Sequence, residues 1–369
     1  MRKRLTSILA ISILTICLLL TCCSKEGETI YQPRSGERQP ATTPLVTVIY
    51  GPNGLGDRSY NDQIYKGVEA AAKKYGLRTL QLSPESEEQG MIYLETMFQQ
   101  LENLNDTVRR LFITPSPVYD AYLRENNHRL EANPNADLLY METTTPLEGK
   151  GSTLYIDYYG AMYMGGCMVH YGATDVVALL LANPYTQTVR EASDGFQAGF
   201  WDTPRPELEG PMELHVRYLS DEPVGGFTLA DSTATHIIYD EMNSSRGNVT
   251  FVPICGGAMH AFYRGAQSYM YAFRYVGIDG DMNGDKDYCI FSVLKHIDKV
   301  VEDYVEMWLN GSMPKHHTMG LADGVTDVVI ADYTYKDVFS FGTLLWKDVL
   351  NMDSLRQVAI RKEVERYER

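Results

Sequence analysis

The sequence lacks what several common kinds of site require. Its formal net charge is -15, with 33 Lys and Arg against 48 Asp and Glu, so a basic surface for nucleic acid or for a membrane is not expected. Beyond the N-terminal region the cysteines are Cys167, Cys255 and Cys289. An odd number gives no disulfide framework, and small buried residues are the expected role of all three.

Catalytic and metal-binding motifs are missing as well. The sequence has no G-x-S-x-G, and Cys255 has no recognisable histidine partner. The stretch "DGDMNGDKDYCI" begins like a calcium loop but ends in Ile290, where such a loop needs a bidentate Glu. His316 and His317 are adjacent, so in an extended segment their rings point apart. We therefore predict no catalytic residue, no metal and no cofactor.

A glycine-rich stretch after the first apolar run, "YGPNGLGDRSYND", looks at first like a phosphate-binding loop. Gly51 and Gly56 have the spacing of the Walker A pattern, but Asp57 follows where that pattern needs Lys. The dinucleotide pattern also fails, because Ser59 stands in place of its third glycine. The sequence therefore predicts that this turn does not bind phosphate.

The residues "DRSYND" within this stretch combine a helix start with polar groups. Ser59 and Asp62 fit the capping box S-x-x-[DE], which predicts that a helix begins here. Asp57 can accept hydrogen bonds, Asn61 can both donate and accept, and Tyr60 offers a flat aromatic face. Together these three side chains suit a flat heterocycle with mixed donors and acceptors.

The N-terminal region has the features of a lipoprotein signal peptide. Three basic residues precede an apolar stretch that is too short for a comfortable membrane span, and "LTCCS" resembles a bacterial lipobox. We expect a signal peptide over residues 1–22 and a lipid on Cys23, with Cys22 as the alternative; an exported protein without lipid is the simpler possibility. Residues 23–42 are polar and without periodicity, which predicts a flexible tether.

From residue 44 onward, short apolar runs alternate with amphipathic stretches, which predicts parallel sheets built from βαβ units. Two such series predict an α/β protein with two lobes, each a parallel sheet flanked by helices. Strands are expected at 45–51, 77–83, 109–115, 137–143, 174–182, 213–220, 248–256 and 274–280. The expected division is a first lobe over 43–157, rejoined by about 288–320, a second lobe over 158–287, and crossover strands with a C-terminal helix over 321–369.

The segment "GDRSYNDQIYKGVEAAAKKYG" is similar to the D-x-S-F-N-x-x-x-x-x-G segment of the basic membrane protein family. Members of this family are lipid-anchored substrate-binding proteins of ABC transporters, and several of them bind purine nucleosides. Further segments that resemble the family follow in its order: "YYGAMYMGG", "ASDGFQAGF", "CGGAMHAFYRGAQ", "YVGIDGDM" and "FSVLKHIDKVVEDYVEMWLNGSM". The resemblance covers nearly all of 44–330. It implies a type I periplasmic-binding-protein fold, with two lobes joined by a hinge of several crossing strands.

The resemblance also implies ligand contacts from the first lobe. Tyr60 stands where the family has a phenylalanine that stacks on the base, and Asp57 and Asn61 would meet the edge of the base.

Further contacts are implied for the second series of elements. Gly256 and Gly257 would bring the backbone close to the sugar, and Asp279 would accept hydrogen bonds from ribose hydroxyls. Lys295 would reach toward the same hydroxyls, and Phe227 is the nearest candidate for a second aromatic residue.

These expectations lead to a solute-binding lipoprotein of the cell envelope, anchored to the membrane by its lipid. It would capture a small polar ligand, a purine nucleoside by the resemblance, and deliver it to an ABC transporter permease without chemical turnover. One alternative is a nucleoside hydrolase. Such an enzyme would need several carboxylates clustered near the first strand, where only Asp57 and Asp62 occur. Another is a surface-exposed binding lipoprotein that has no transporter.

Overall fold

The computed structural model describes residues 41–52, 54–103, 107–170, 175–203, 212–244, 249–266, 273–282, 288–330 and 351–366. The predicted signal peptide, Cys22, Cys23 and nearly all of the predicted tether lie outside these residues. None of the helices in the described ranges has both the length and the apolar character that crossing a membrane requires.

Strands and helices alternate along the chain. The strands are β1 (Leu45–Ile49), β2 (Arg78–Leu82), β3 (Arg110–Thr114), β4 (Ala136–Met141), β5 (Ser152–Ile156), β6 (Val176–Leu181), β7 (Glu213–Tyr218), β8 (Val249–Ile254), β9 (Phe273–Asp279), β10 (Cys289–Lys295), β11 (His316–Met319) and β12 (Thr326–Val329). The helices are α1 (Tyr60–Tyr75), α2 (Glu87–Asn103), α3 (Asp120–Asn126), α4 (Tyr159–Val169), α5 (Gln187–Asp202), α6 (Asp231–Ser244), α7 (Met259–Ala266), α8 (Ile297–Asn310) and α9 (Met352–Glu365). Every strand predicted up to residue 280 is present, with ends that differ by one or two residues.

Two six-stranded sheets confirm the predicted α/β architecture with two lobes. The first has the order β11-β5-β4-β3-β1-β2, and all of its neighbouring strands are parallel. The second has the order β12-β10-β9-β8-β6-β7, with β12 antiparallel to β10. Central strands such as β6 and β8 are buried along their whole length, as parallel strands covered on both faces must be.

Within the described residues the chain crosses between the two sheets three times. The first crossing, residues 157–158, leads from β5 to α4, and the second, His296, leads from β10 to α8. The third crossing, residues 320–325, joins β11 of the first sheet to β12 of the second. Helix α8 packs against α1 in the first lobe, whereas α9 packs against α4 in the second.

One predicted boundary between the lobes was wrong. Residues from about 288 onward were expected to rejoin the first lobe, but β10 lies in the second sheet between β9 and β12. The return to the first lobe begins only at His296. Every residue of β10 is buried, so its apolar pattern carries no information about which of two parallel sheets it joins.

Glycines bring α4 and α5 into close contact. A methyl group at Gly166 would lie 2.0 Å from the carbonyl oxygen of Phe196, and one at Gly199 would lie 2.0 Å from that of Tyr163. These glycines belong to two of the segments that resemble the basic membrane protein family. Their role in this fold is therefore to let two helices pack closely.

Candidate functional site

Asp57 holds the start of α1. Its Oδ1 accepts hydrogen bonds from the backbone N–H groups of Ser59 at 2.9 Å and Asp62 at 3.2 Å, and its Oδ2 accepts from the backbone and side-chain N–H groups of Asn61 at 2.9 and 3.0 Å. Burial raises the pKa of Asp57, although the backbone hydrogen bonds oppose that rise. The predicted capping box is wrong, because the cap is Asp57 and the hydroxyl of Ser59 does not bond to the helix.

The four hydrogen bonds to Asp57 also change its predicted role. An ionised carboxylate has about four acceptor positions, and in this structure the start of α1 uses that many. Asp57 therefore has no acceptor position left for the edge of a base. Its structural role explains why a carboxylate is found at this point of the turn.

Three further N–H groups of the glycine-rich turn have partners within the protein. Asp62 accepts from the backbone N–H groups of Gly56 at 2.8 Å and Arg58 at 2.9 Å, and Ser83 Oγ accepts from that of Leu55 at 3.2 Å. A phosphate loop needs N–H groups that are free to point at an anion. These contacts agree with the prediction that the turn does not bind phosphate.

Asp279, at the end of β9, connects the two lobes directly. Ser59 Oγ donates to Asp279 Oδ2 at 2.6 Å, and Gln63 Nε2 donates to the Asp279 carbonyl oxygen at 3.0 Å. Both donors come from the first lobe, so the lobes touch at this point. A ligand hydroxyl that binds Asp279 has to share its carboxylate with Ser59 or displace that side chain.

Tyr158, in the first crossing, fixes the position of Asp279. The backbone of Asp279 has a φ of 64°, a left-handed conformation that is uncommon for residues other than glycine. Its N–H donates to the Tyr158 hydroxyl at 3.1 Å, and that hydroxyl donates to the Val293 carbonyl at 2.6 Å. Sequence reasoning missed Tyr158, because an aromatic residue between two elements indicates only core packing.

We predict that Tyr158→Phe destabilises the protein by about 1–3 kcal/mol, because the Asp279 N–H loses its buried acceptor while the ring is kept. Urea unfolding measures the change. Tyr239→Phe, at a tyrosine with 57% exposure, is the matched control and should be neutral. Equal stability of Tyr158→Phe and wild type would show that its hydroxyl does not hold Asp279.

Lys295, at the end of β10, is buried with 6% exposure. Its Nζ lies 4.6 Å from the ring centroid of Tyr158 and 6.0 Å from that of Tyr60. Among the described residues no carboxylate or other hydrogen-bond acceptor lies within bonding distance of this ammonium group. Lys295 thus places an ammonium group between the lobes with only aromatic rings as direct neighbours.

Glu142 follows the end of β4 and was also missed by sequence reasoning. Part of the residue is accessible, but both carboxylate oxygens are enclosed and have no well-formed hydrogen bond from the described residues. Burial raises the pKa of Glu142, while Lys295 and the nearby Tyr60 hydroxyl lower it. That hydroxyl donates to the Pro115 carbonyl at 3.3 Å. A polar residue directly after a buried strand was the available indication.

The predicted residues of the second lobe lie opposite the glycine-rich turn. A methyl group at Gly256 would be 3.1 Å from the ring of Phe227, and one at Gly257 would be 3.4 Å from Cβ of Asp57. The Ala258 N–H donates to the Phe227 carbonyl at 2.8 Å. Contacts within or between the lobes therefore place all eight predicted residues in one region, the interlobe cleft: Asp57, Tyr60, Asn61, Phe227, Gly256, Gly257, Asp279 and Lys295.

Other titratable groups do not form a second centre. Among the described residues no three His, Cys, Asp or Glu side chains are grouped closely enough to hold a metal ion. Cys167, Cys255 and Cys289 are buried free thiols, which confirms the role expected for them. His316 lies in β11, and its Nδ1 is 2.7 Å from Thr153 Oγ1.

No protein-family model matches this chain, and no curated protein sequence is significantly similar to it. Solved structures are similar in fold. An ABC transporter solute-binding protein from Aeropyrum pernix K1 is 14% identical with a TM-score of 0.62, over 87% of this chain and 86% of that one. A solute-binding protein from Burkholderia graminis C4D1M, in complex with D-arabinose, is 11% identical with a TM-score of 0.57, over 83% of this chain and 100% of that one.

The same similarity extends to a different kind of protein. A transcriptional activator of the comK gene from Bacillus halodurans is 15% identical with a TM-score of 0.59, over 87% of this chain and 97% of that one. At such identities the likeness concerns the fold alone. The chain has the two-lobed type I periplasmic-binding-protein fold that its sequence predicted, and the argument for its function has to come from the cleft.

Proposed function

We propose that the protein is a solute-binding protein that encloses a small polar ligand between its lobes and delivers it to an ABC-type permease. The observation that carries this proposal is the pair formed by Lys295 and Glu142. An ammonium group without a hydrogen-bond acceptor and an enclosed carboxylate without a well-formed hydrogen bond are costly, and a ligand with both acceptors and donors would satisfy them. Their place, at the carboxyl ends of β10 and β4, is where open α/β sheets bind ligands.

We propose a purine nucleoside as the ligand. The sequence resemblance supports this choice, as do two aromatic rings, Tyr60 and Phe227, from opposite lobes. Asp279 and Lys295 suit the hydroxyls of a ribose. Glu142 takes over the contact with base N–H groups that was predicted for Asp57, because the acceptor positions of Asp57 are filled.

Guanosine, inosine and adenosine are the probes for this proposal, titrated calorimetrically beside D-ribose, D-arabinose and the nucleoside 5′-monophosphates. We expect the nucleosides to bind and Tyr60→Ala to weaken them about 10- to 100-fold, since stacking contributes roughly 1–3 kcal/mol per base. Tyr60→Phe keeps the ring and removes only the hydroxyl that acts on Glu142, so it should lose much less affinity than Tyr60→Ala.

Two outcomes would contradict this ligand. Tighter binding of the monophosphates would mean that the cleft does accept phosphate. Binding of the free sugars without the nucleosides would keep the solute-binding function and remove the base from the ligand. Chromatography of the incubated nucleosides should recover them intact, and steady release of free base would instead favour a hydrolase.

We propose that the protein is held at the cell envelope by a lipid on Cys23. Cys23→Ser should lose incorporation of radiolabelled palmitate, whereas Cys22→Ser should keep it. Label that survives in Cys23→Ser and disappears in Cys22→Ser would move the anchor to Cys22.

A further inference from the structure

One side chain of helix α9 bonds both to the start of α4 and to the third crossing. Glu363, on α9, is buried with 4% exposure. Its Oε2 accepts a hydrogen bond from the Gly160 N–H at 2.8 Å, and its Oε1 accepts one from the Leu321 N–H at 2.9 Å. Gly160 lies in the first turn of α4 and Leu321 lies in the third crossing, so one carboxylate joins the start of α4 to that crossing.

The backbone around this carboxylate is shaped to receive it. A methyl group at Gly160 would lie 2.4 Å from Glu363 Oε2, and one at Gly320 would lie 2.3 Å from Oε1. Any residue larger than glycine at either position would displace the carboxylate from its two N–H donors. The contact therefore depends on two glycines that are 160 positions apart in sequence and meet at one side chain.

A second side chain, at the end of α9, reaches the same region. Arg366 lies 3.4 Å from Asp157 in the first crossing and 3.3 Å from Glu191 on α5. Its guanidinium carbon is 4.3 Å from the centroid of the Tyr159 ring. Arg366, the residue directly after α9, thus contacts the first crossing, while Glu363 contacts α4 and the third crossing.

The position of Glu363 connects it to movement of the lobes. Helix α9 packs on α4, so Glu363 moves with the second lobe. Leu321 lies in the third crossing, two residues beyond the end of β11, and its side chain packs in the core of the second lobe. A rotation that opens the lobes changes the backbone dihedrals of the crossings, and it therefore acts on the bond between Leu321 and Glu363.

We propose that α9 is a hinge clamp, in which Glu363 stabilises the arrangement where the two lobes touch. Without the Glu363 carboxylate the protein should populate separated lobes, and a ligand that must be enclosed should bind more weakly, because a smaller fraction of molecules is closed. The clamp acts on the crossings, so it does not depend on which ligand the cleft takes.

The test follows lobe separation in the full-length protein without ligand. A donor and an acceptor fluorophore are incorporated at Glu88 and Ser232, which are exposed on α2 of the first lobe and α6 of the second. We expect Glu363→Ala to lower the transfer efficiency and broaden the distance distribution. Glu363→Gln, which keeps one acceptor oxygen, should give an intermediate result, and Glu365→Gln, an exposed residue on the same helix, should match wild type.

Hydrogen exchange supplies a second measurement at the contact itself. In Glu363→Gln the peptides that contain Gly160 and Leu321 should exchange faster than in wild type, and should not do so in Glu365→Gln. Glu363→Gln is similar in size to the native residue, so it keeps the test decisive even if Glu363→Ala does not fold. Folded Glu363→Gln with the distances and exchange rates of wild type would overturn the hinge clamp.

Discussion

Lys295→Met should remove most of the ligand affinity of the protein. The Lys295 side chain is buried between the lobes, and its ammonium group has no hydrogen-bond acceptor among the described residues. The charge of Lys295 lowers the pKa of Glu142, so its removal leaves that carboxylate without a compensating charge and should also lower the stability of the ligand-free protein. A hydrogen bond from a charged group to a ligand is worth roughly 1.5–3 kcal/mol, so its loss should weaken binding about 10- to 100-fold.

Two measurements distinguish the effect of Lys295 on binding from its effect on stability. Urea unfolding gives the stability, and titration with guanosine and inosine gives the affinity. Lys73→Met, at an exposed lysine on α1, controls for the general effect of the substitution and should change neither quantity. Affinity equal to that of wild type in folded Lys295→Met would remove the main support for the proposed function.

The second large effect is expected in the dependence of stability on pH. Burial, with Asp157 and Asp323 adding negative charge nearby, raises the pKa of Glu363 from 4.5 to about 7. Between these values the folded protein keeps a proton that the unfolded chain releases. The stability that this proton contributes is complete below pH 4.5 and is lost as the pH rises through 7.

The size of the pH effect follows from the change in pKa. Each pKa unit corresponds to about 1.4 kcal/mol. Ionisation of Glu363 should therefore lower the free energy of unfolding of the wild-type protein by roughly 3 kcal/mol between pH 4.5 and pH 8. Glu363→Gln cannot titrate, and its stability should change less over the same range. Urea unfolding at pH 5 and pH 8 gives the change in stability of each protein. Subtracting one change from the other cancels the contribution of the other titrating groups. Parallel pH profiles would show that Glu363 is not the proton-binding group.

The fold could be predicted well because its evidence is local. Alternation of buried apolar runs with amphipathic helices predicts two series of βαβ units, and β-branched and apolar residues indicate each strand. Which sheet receives a strand is not local information. β10 is buried along its length and would fit either sheet. Only the three-dimensional structure, in which the chain crosses between the lobes at His296, shows that β10 belongs to the second sheet.

The site could be predicted only in part, for a similar reason. The resemblance to the basic membrane protein family implied that Tyr60, Asp279 and Lys295 would meet. The hydrogen-bond partners of each group depend on the other lobe, which the sequence pattern does not describe. Ser59 bonds to Asp279 across the cleft, and Asp57 therefore serves as the cap. Glu142 carries no motif of its own.

The pairing of β5 with β11 has a consequence for biosynthesis. Thr153 stands opposite His316 in the register of these two parallel strands, so an edge of the first sheet is completed by residues made after nearly all of the second lobe. Contacts between such distant residues form slowly. A nascent or truncated chain that stops before β11 would leave β5 as an unpaired edge, which invites pairing with other chains. Aggregation of the unfinished protein, rather than release of a folded first lobe, is the expected fate of such a chain.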